Sequence, residues 1–181
     1  RILFDRTFAR LGIGVDYVRN PDDRAEWDRT ITPGTKAIFV ETIPNPKNDL
    51  VDVAAVAEVA RAHGIPLIVD NTVATPYVIR PLELGADVVV HSSTKFLTGH
   101  GAALSGAIVD GGSFDWAGAA RAYPGITAPP AAGAPSFAEK YGARALEAYL
   151  RFGIVNDLGA ALSPVHSFLL QQGMETLSLR M

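Results

Sequence analysis

Short apolar runs separated by turn-forming residues set the rhythm of this chain, and one longer stretch among them has helical spacing. Val53–His63 repeats its apolar positions at intervals of three and four, which predicts a helix with Asp52 as its N-cap and Gly64 as its C-cap. The runs at 14–18, 36–41, 65–70, 86–91 and 105–110 are short and bounded by turn residues, the pattern of strands. Residues 22–27 predict a helix start with acids in the first turn, where the helix dipole favours them. Residues 81–85 predict a single helical turn, 137–157 and 164–172 long helices, and the Pro/Ala/Gly-rich 124–135 a loop. Strands alternating with helices predict the α/β class, a mostly parallel, doubly wound sheet with helices on both faces. Sheets of that kind gather ligands at the C-terminal ends of their strands.

Three of the predicted strand tips carry polar groups. After 86–91 comes Ser92-Ser-Thr-Lys95-Phe-Leu-Thr-Gly-His-Gly101. A partly desolvated lysine at a strand mouth can lose its proton near neutral pH and attack an aldehyde. Ser92 and Thr94 beside it offer hydroxyl donors to a phosphate. The run 65–70 ends in Asp70-Asn71. The run 36–41 ends in Glu41, followed by Thr42-Ile-Pro-Asn45-Pro46, where two prolines stiffen the turn and leave the Asn45 amide free to project. Taken singly, each feature has an ordinary structural reading: a solvated loop lysine, a capping Asp-Asn pair, a proline turn with Asn as turn former. Taken together, lysine, acid and hydroxyls at neighbouring tips are the parts a pyridoxal phosphate (PLP) enzyme needs. A lysine-dependent aldolase working without cofactor would leave Asp70, Ser92 and Thr94 unexplained.

The segments Glu41-Thr-Ile-Pro-Asn-Pro-Lys-Asn-Asp-Leu-Val-Asp52, Val69-Asp-Asn-Thr-Val-Ala-Thr-Pro-Tyr77 and Arg80-Pro-Leu-Glu-Leu-Gly-Ala-Asp-Val-Val-Val-His-Ser-Ser-Thr-Lys95, running on to Gly101, resemble the Cys/Met-metabolism family of PLP enzymes. Three details resemble its O-acetylhomoserine sulfhydrylase branch: Asn45-Pro46-Lys47, Ala74-Thr75-Pro76-Tyr77, and Gly99-His100-Gly101 after the lysine. Residues 158–181 resemble that branch as well. The likeness covers nearly the whole chain, is weakest over 123–135, and departs at Asn156, where the family has an arginine.

The resemblance implies a fold type I (aspartate aminotransferase-like) large domain. Residues 1–157 would be the central part of the PLP-binding domain, and 158–181 a helical link toward a C-terminal domain. On that reading the chain is the middle of a longer polypeptide and is inactive alone. The implied roles run residue by residue. Lys95 carries PLP covalently and moves protons, Asp70 pairs with the pyridine nitrogen, and Ser92 and Thr94 bind the phosphate. Asn45 hydrogen-bonds the ring hydroxyl, while Asn71 and Glu41 support the site. The implied activity is γ-replacement on O-acetyl-L-homoserine by sulfide or a thiol, giving homocysteine or methionine plus acetate. Cystathionine γ-synthase, cystathionine γ-lyase and methionine γ-lyase are the alternatives within the same chemistry. A non-catalytic binding domain on the same fold is the alternative outside it, and an intact Lys95 with Asp70 argues against that. The implied assembly is a homotetramer with active sites shared between subunits.

Composition narrows the rest. Apolar residues make up 48% and charged residues 19% of the 181, enough for a substantial core with an ordinary soluble surface. Cysteine is absent, so disulfides and thiol catalysis do not arise. A net charge of −3 without a basic cluster argues against nucleic acid. No apolar run approaches a membrane span and no secretory leader pattern is visible, so the cytoplasm is the expected compartment. His63 is expected at a helix C-terminus and His166 on a helix as a packing or surface residue. His91 and His100 flank the lysine turn without a carboxylate or cysteine at ligand spacing, so no metal site is expected.

Overall fold

The computed structural model describes residues 2–119 and 122–181. A four-stranded sheet runs in the order β1 (Ile38–Glu41), β2 (Leu67–Asp70), β3 (Val88–His91) and β4 (Ala107–Asp110). The first three strands are parallel, with Glu41 opposite Asp70 and Asp70 opposite Val90, so their polar tips end side by side. β4 returns antiparallel to β3, pairing Ala107 with His91. The mixed sheet is the expected α/β arrangement, mostly parallel.

The helix Val53–His63 forms as its spacing predicts. The Asp52 carboxylate accepts from Ala55 N at 3.0 Å, and Gly64, at φ 63°, lets the chain turn back while its N–H caps the Ala60 and Arg61 carbonyls. The helix lays Val53, Val56, Ala57, Val59 and Ala60 on Ile38, Val40, Leu67, Val69 and Val89, with Trp27 closing one side. Alternation along β1 turns Ile38 and Val40 into this layer and Phe39 to the other face, where it meets Phe4 at 5.4 Å between ring centroids. Full burial of one such side chain contributes about 1.5–3 kcal/mol, so this layer anchors the strands whose tips form the site. At the opposite end Asp87 ties the sheet together, accepting from Leu67 N at 2.9 Å and from the Ser113 hydroxyl at 2.6 Å.

A second cluster gathers Trp116, Ile126 and Ala145 with Phe114, Tyr123, Phe137 and Tyr149. Its rings meet edge to face, Trp116 and Tyr123 at 5.0 Å. The Tyr123 hydroxyl donates to Lys36 O at 2.6 Å. Burial, with the Asp87 charge adding to it, pushes its pKa up to about 12, so it remains a donor.

Several boundaries differ from expectation. Residues 14–18 form no strand: Asp16 and Gly14 interrupt the run, Val15 and Tyr17 lie exposed, and the Tyr17 hydroxyl bonds Asp5 instead. A short run without a neighbouring strand gains no ladder bonds. The stretch 137–157 is not one helix. Gly142, at φ 54°, ends the turn Phe137–Tyr141, and Gly142–Arg144, Ala145–Tyr149, Leu150–Val155 and Asn156–Leu158 follow with changing helical type. The expected loop contains a helical turn, Pro124–Thr127, with proline at its first position. The last long helix runs past 172, as Pro164–Glu175, started by the Ser163 hydroxyl accepting from His166 N at 3.2 Å. Among the described residues no helix is long and apolar enough to cross a membrane.

Candidate active site

The tip of β2 is an oriented carboxylate. Asp70 Oδ1 accepts from Thr72 N at 2.9 Å and from the Thr72 hydroxyl, and Oδ2 stands outside these bonds. The same hydroxyl oxygen accepts from Ser92 N at 2.8 Å. A threonine hydroxyl donates once and accepts twice. Thr72 spends it on a relay from the acid at the end of β2 to the first residue beyond β3.

Asn71 welds the three tips together. It is fully buried; its side chain donates to Ile79 O at 2.8 Å and accepts from the Thr42 hydroxyl at 2.9 Å. Its backbone N–H donates to Val90 O at 2.9 Å. Its carbonyl takes His91 Nδ1 at 3.1 Å, which requires the ring proton on Nδ1. Burial lowers the His91 pKa, outweighing the Asn71 carbonyl and the Asp70 charge that would raise it. His91 is therefore a neutral packing group between tip and turn.

Beyond β3 the chain winds into the turn that carries the lysine. Lys95 N donates to Ser92 O at 3.1 Å, and Gly99 N donates to Lys95 O at 2.8 Å. Thr98 fixes the base of the turn, its N–H and hydroxyl both donating to Ser93 O at 3.0 and 2.7 Å. The backbone of Lys95 is thus held while its side chain is exposed. Thr94 binds sideways to Ser105, its hydroxyl donating to Ser105 O at 3.0 Å and accepting from Ser105 N at 2.9 Å. At the tip of β1 the Glu41 carboxylate accepts from Asn45 N at 3.3 Å, and Asn45 is exposed.

The sheet therefore brings Asp70, Asn71, Ser92 and Lys95 onto adjacent tips, with Glu41 and Asn45 on the strand beside Asp70. Thr94 differs from expectation in one respect: its proton is already given to Ser105. Two further groups escaped sequence reasoning. The hydroxyls of Ser93 and Ser105 are buried without a partner, an arrangement that costs free energy unless something completes it. Thr72 is the other. A hydroxyl two residues after an acid at a strand end is a local turn signal, and it could have been read as such.

This donor set fits PLP. An exposed primary amine suits an aldehyde, a half-buried carboxylate with an uncommitted oxygen suits a protonated pyridine, and the hydroxyl of the half-buried Ser92 at the start of the lysine turn suits a phosphate. Thr72→Val tests the relay directly. It leaves the part-buried Ser92 N–H without its acceptor and Asp70 with only the backbone N–H of residue 72, and an unmet group away from water costs about 1–3 kcal/mol. Urea unfolding should register a loss in that range; a loss under about 0.5 kcal/mol, the size of an ordinary surface change, would show the relay to be incidental.

Comparison with known proteins agrees with this geometry. Residues 1–181 match the family described as "Cys/Met metabolism PLP-dependent enzyme". The O-acetyl-L-homoserine sulfhydrylase of Corynebacterium glutamicum is 47% identical over 191 residues, covering 99% of this chain and 42% of the relative. The homocysteine synthase of Schizosaccharomyces pombe is 43% identical over 181 residues, again covering 99% and 42%. Among solved structures, a putative O-acetylhomoserine (thiol)-lyase from Campylobacter jejuni, containing N'-pyridoxyl-lysine-5'-monophosphate, superposes with a TM-score of 0.84 at 30% identity. That match covers 98% of this chain and 44% of the other. Cystathionine γ-lyase from Lactobacillus plantarum, complexed with L-serine, gives a TM-score of 0.77 at 34% identity over 99% of this chain and 39% of its own. The chain spans about two fifths of the length of the curated relatives it matches. Matched from residue 1 to residue 181, it belongs to the Cys/Met-metabolism family of PLP-dependent enzymes.

Proposed function

We propose that the whole protein catalyses γ-replacement on O-acetyl-L-homoserine, sulfide or a thiol displacing acetate to give homocysteine or its thioether. The observation that carries this reading is the Asp70–Thr72–Ser92 relay, which couples a fixed acid to the lysine turn. The name of the Corynebacterium relative supports the choice of substrate, and that of the Schizosaccharomyces relative supports the product. When bound, PLP supplies an aldehyde for primary amines and a ring that takes up electron density from the amino-acid Cα.

The chain's own residues do the rest. Lys95, with its backbone pinned and its stem free, would hold the cofactor, and its amine would remove and return protons at Cα and Cβ. Asp70 Oδ2 sets a negative charge beside the pyridine nitrogen and keeps it protonated. The Ser92 hydroxyl would hold the phosphate, and Thr94 would join it by giving up its bond to Ser105 O. Asn45 meets the ring hydroxyl, while Asn71 and Glu41 keep the three tips in register. Residues 1–157 form the cofactor domain in this proposal, and 158–181 lead away from it.

Assembly is part of the same proposal. A phosphate dianion favours cationic partners, and Ser92 and Thr94 are neutral. The missing positive charge comes from another subunit, in a homotetramer with shared active sites. Sedimentation of the cofactor-loaded protein reads this directly, and a monomer that holds PLP tightly would contradict it.

The activity is tested by supplying the PLP-loaded protein with O-acetyl-L-homoserine and sulfide. Homocysteine and acetate should appear in equal amounts as sulfide is consumed. Release of 2-oxobutyrate and ammonia with sulfide untouched would establish elimination in place of replacement. Bound PLP with no product would leave a binding domain.

A further inference from the structure

Arg180 lies in the helical turn Leu177–Arg180, more than eighty residues from the lysine turn in sequence, yet its guanidinium binds that turn. Nη1 donates to Phe96 O at 2.6 Å, and Nη2 to Gly173 O at 2.6 Å and Leu97 O at 3.4 Å. Nε donates to the Thr176 hydroxyl at 3.1 Å. One planar cation thus spans the two carbonyls that follow Lys95 and the end of the helix Pro164–Glu175. Carbonyls at the end of a helical turn are short of internal donors and a cation there is favoured, although Gly173 O also accepts from Thr176 N and the Thr176 hydroxyl. A guanidinium can serve several at fixed angles, whereas an ammonium acts as a point charge.

Two glycines make the approach possible. A Cβ on Gly99, itself at φ +75°, would lie 2.5 Å from the Arg180 guanidinium carbon. A Cβ on Gly173 would lie 2.1 Å from Thr98 O. At Gly173 the helix and the turn therefore touch backbone to backbone with no room for a methyl group, while at Gly99 a methyl group would displace the Arg180 side chain. The linkage to Lys95 is short: Gly99 N donates to Lys95 O, and Thr98 closes the turn on Ser93.

We propose that Arg180 is a positioning residue for Lys95, fixing the backbone that aims its amine. This rests on the reading of Lys95 as the residue that carries PLP. Two variants of the full-length protein, Arg180→Lys and Arg180→Ala, test it. In the cofactor-free protein, amide hydrogen exchange at 96–99 should quicken about tenfold in Arg180→Lys, the effect of losing one of the two bonds to the turn, and by at least as much in Arg180→Ala, which loses both, while 67–70 exchanges as before. With PLP added, the rate at which borohydride traps a pyridoxyl group on residue 95 should fall by a similar factor. Guanidinium ion in the buffer should restore that rate in Arg180→Ala but not in Arg180→Lys. If Arg180→Ala does not fold, Arg180→Lys, which keeps stem and charge, carries the exchange and trapping comparison alone. Unchanged exchange and trapping would overturn the proposal, as would equal acceleration at 67–70, which marks general loosening. A label on some lysine other than 95 in the unsubstituted protein would defeat the reading of Lys95 instead, whatever the Arg180 variants do.

Discussion

Lys95→Ala is expected to abolish turnover in the full-length protein and to leave its unfolding transition where it was. The side chain is exposed, and the two bonds that hold the residue, Lys95 N to Ser92 O and Gly99 N to Lys95 O, belong to the backbone and survive in alanine. The stability change should therefore stay within about 0.5 kcal/mol, as for other surface substitutions. The chemical loss is of another order. The amine is proposed both to hold the cofactor and to carry protons, and general-base catalysis alone contributes about two to four orders of magnitude. Lys47, the other lysine on these tip segments, sits in the turn after β1 and has no counterpart of the Thr72 relay. Steady-state assay at saturating PLP beside urea unfolding checks both halves. Activity within tenfold of the unsubstituted protein would remove Lys95 from the chemistry.

Asp70→Asn separates charge from geometry. The asparagine oxygen can still accept from Thr72 N and the Thr72 hydroxyl, so the relay to Ser92 is retained. The uncommitted carboxylate oxygen is replaced by a neutral amide nitrogen. Without an anion beside it, the pyridine nitrogen loses its proton near neutral pH and the ring becomes a poor electron acceptor. Turnover should fall by about three orders of magnitude, some 4 kcal/mol of barrier, and PLP should be retained less well. A rate within about threefold, under 1 kcal/mol, would show that Asp70 acts through its hydrogen bonds rather than its charge.

Much of this arrangement was legible in the sequence because the signals involved are local. The helix Val53–His63, both of its caps, and the order of acid, asparagine, serine and lysine at the tips follow from spacing and from residue types that turn or cap a chain. Pairing was less legible. The run 14–18 has the composition of a strand, but whether a neighbour exists to receive it depends on the whole fold. In 137–157 the apolar spacing conceals Gly142, whose positive φ breaks the helix. The least legible contacts are polar and long-range. Thr94 shares its hydroxyl with Ser105 across eleven residues, and Arg180 reaches Phe96 across 84, contacts that no periodicity encodes. Thr72 stands between these cases, its bond to Asp70 readable as a turn and its bond to Ser92 N readable only once β2 and β3 are paired.

Lys95, in the turn that the Thr72 hydroxyl ties to Asp70 through Ser92 N, is proposed as the residue that carries PLP. Borohydride reduction of the PLP-loaded full-length protein, followed by proteolysis and mass spectrometry, tests it at a single atom. A pyridoxyl group is expected on Lys95, with Lys36, Lys47 and Lys140 unmodified. A label on any other lysine, or PLP bound tightly with no reducible link to Lys95, would contradict it.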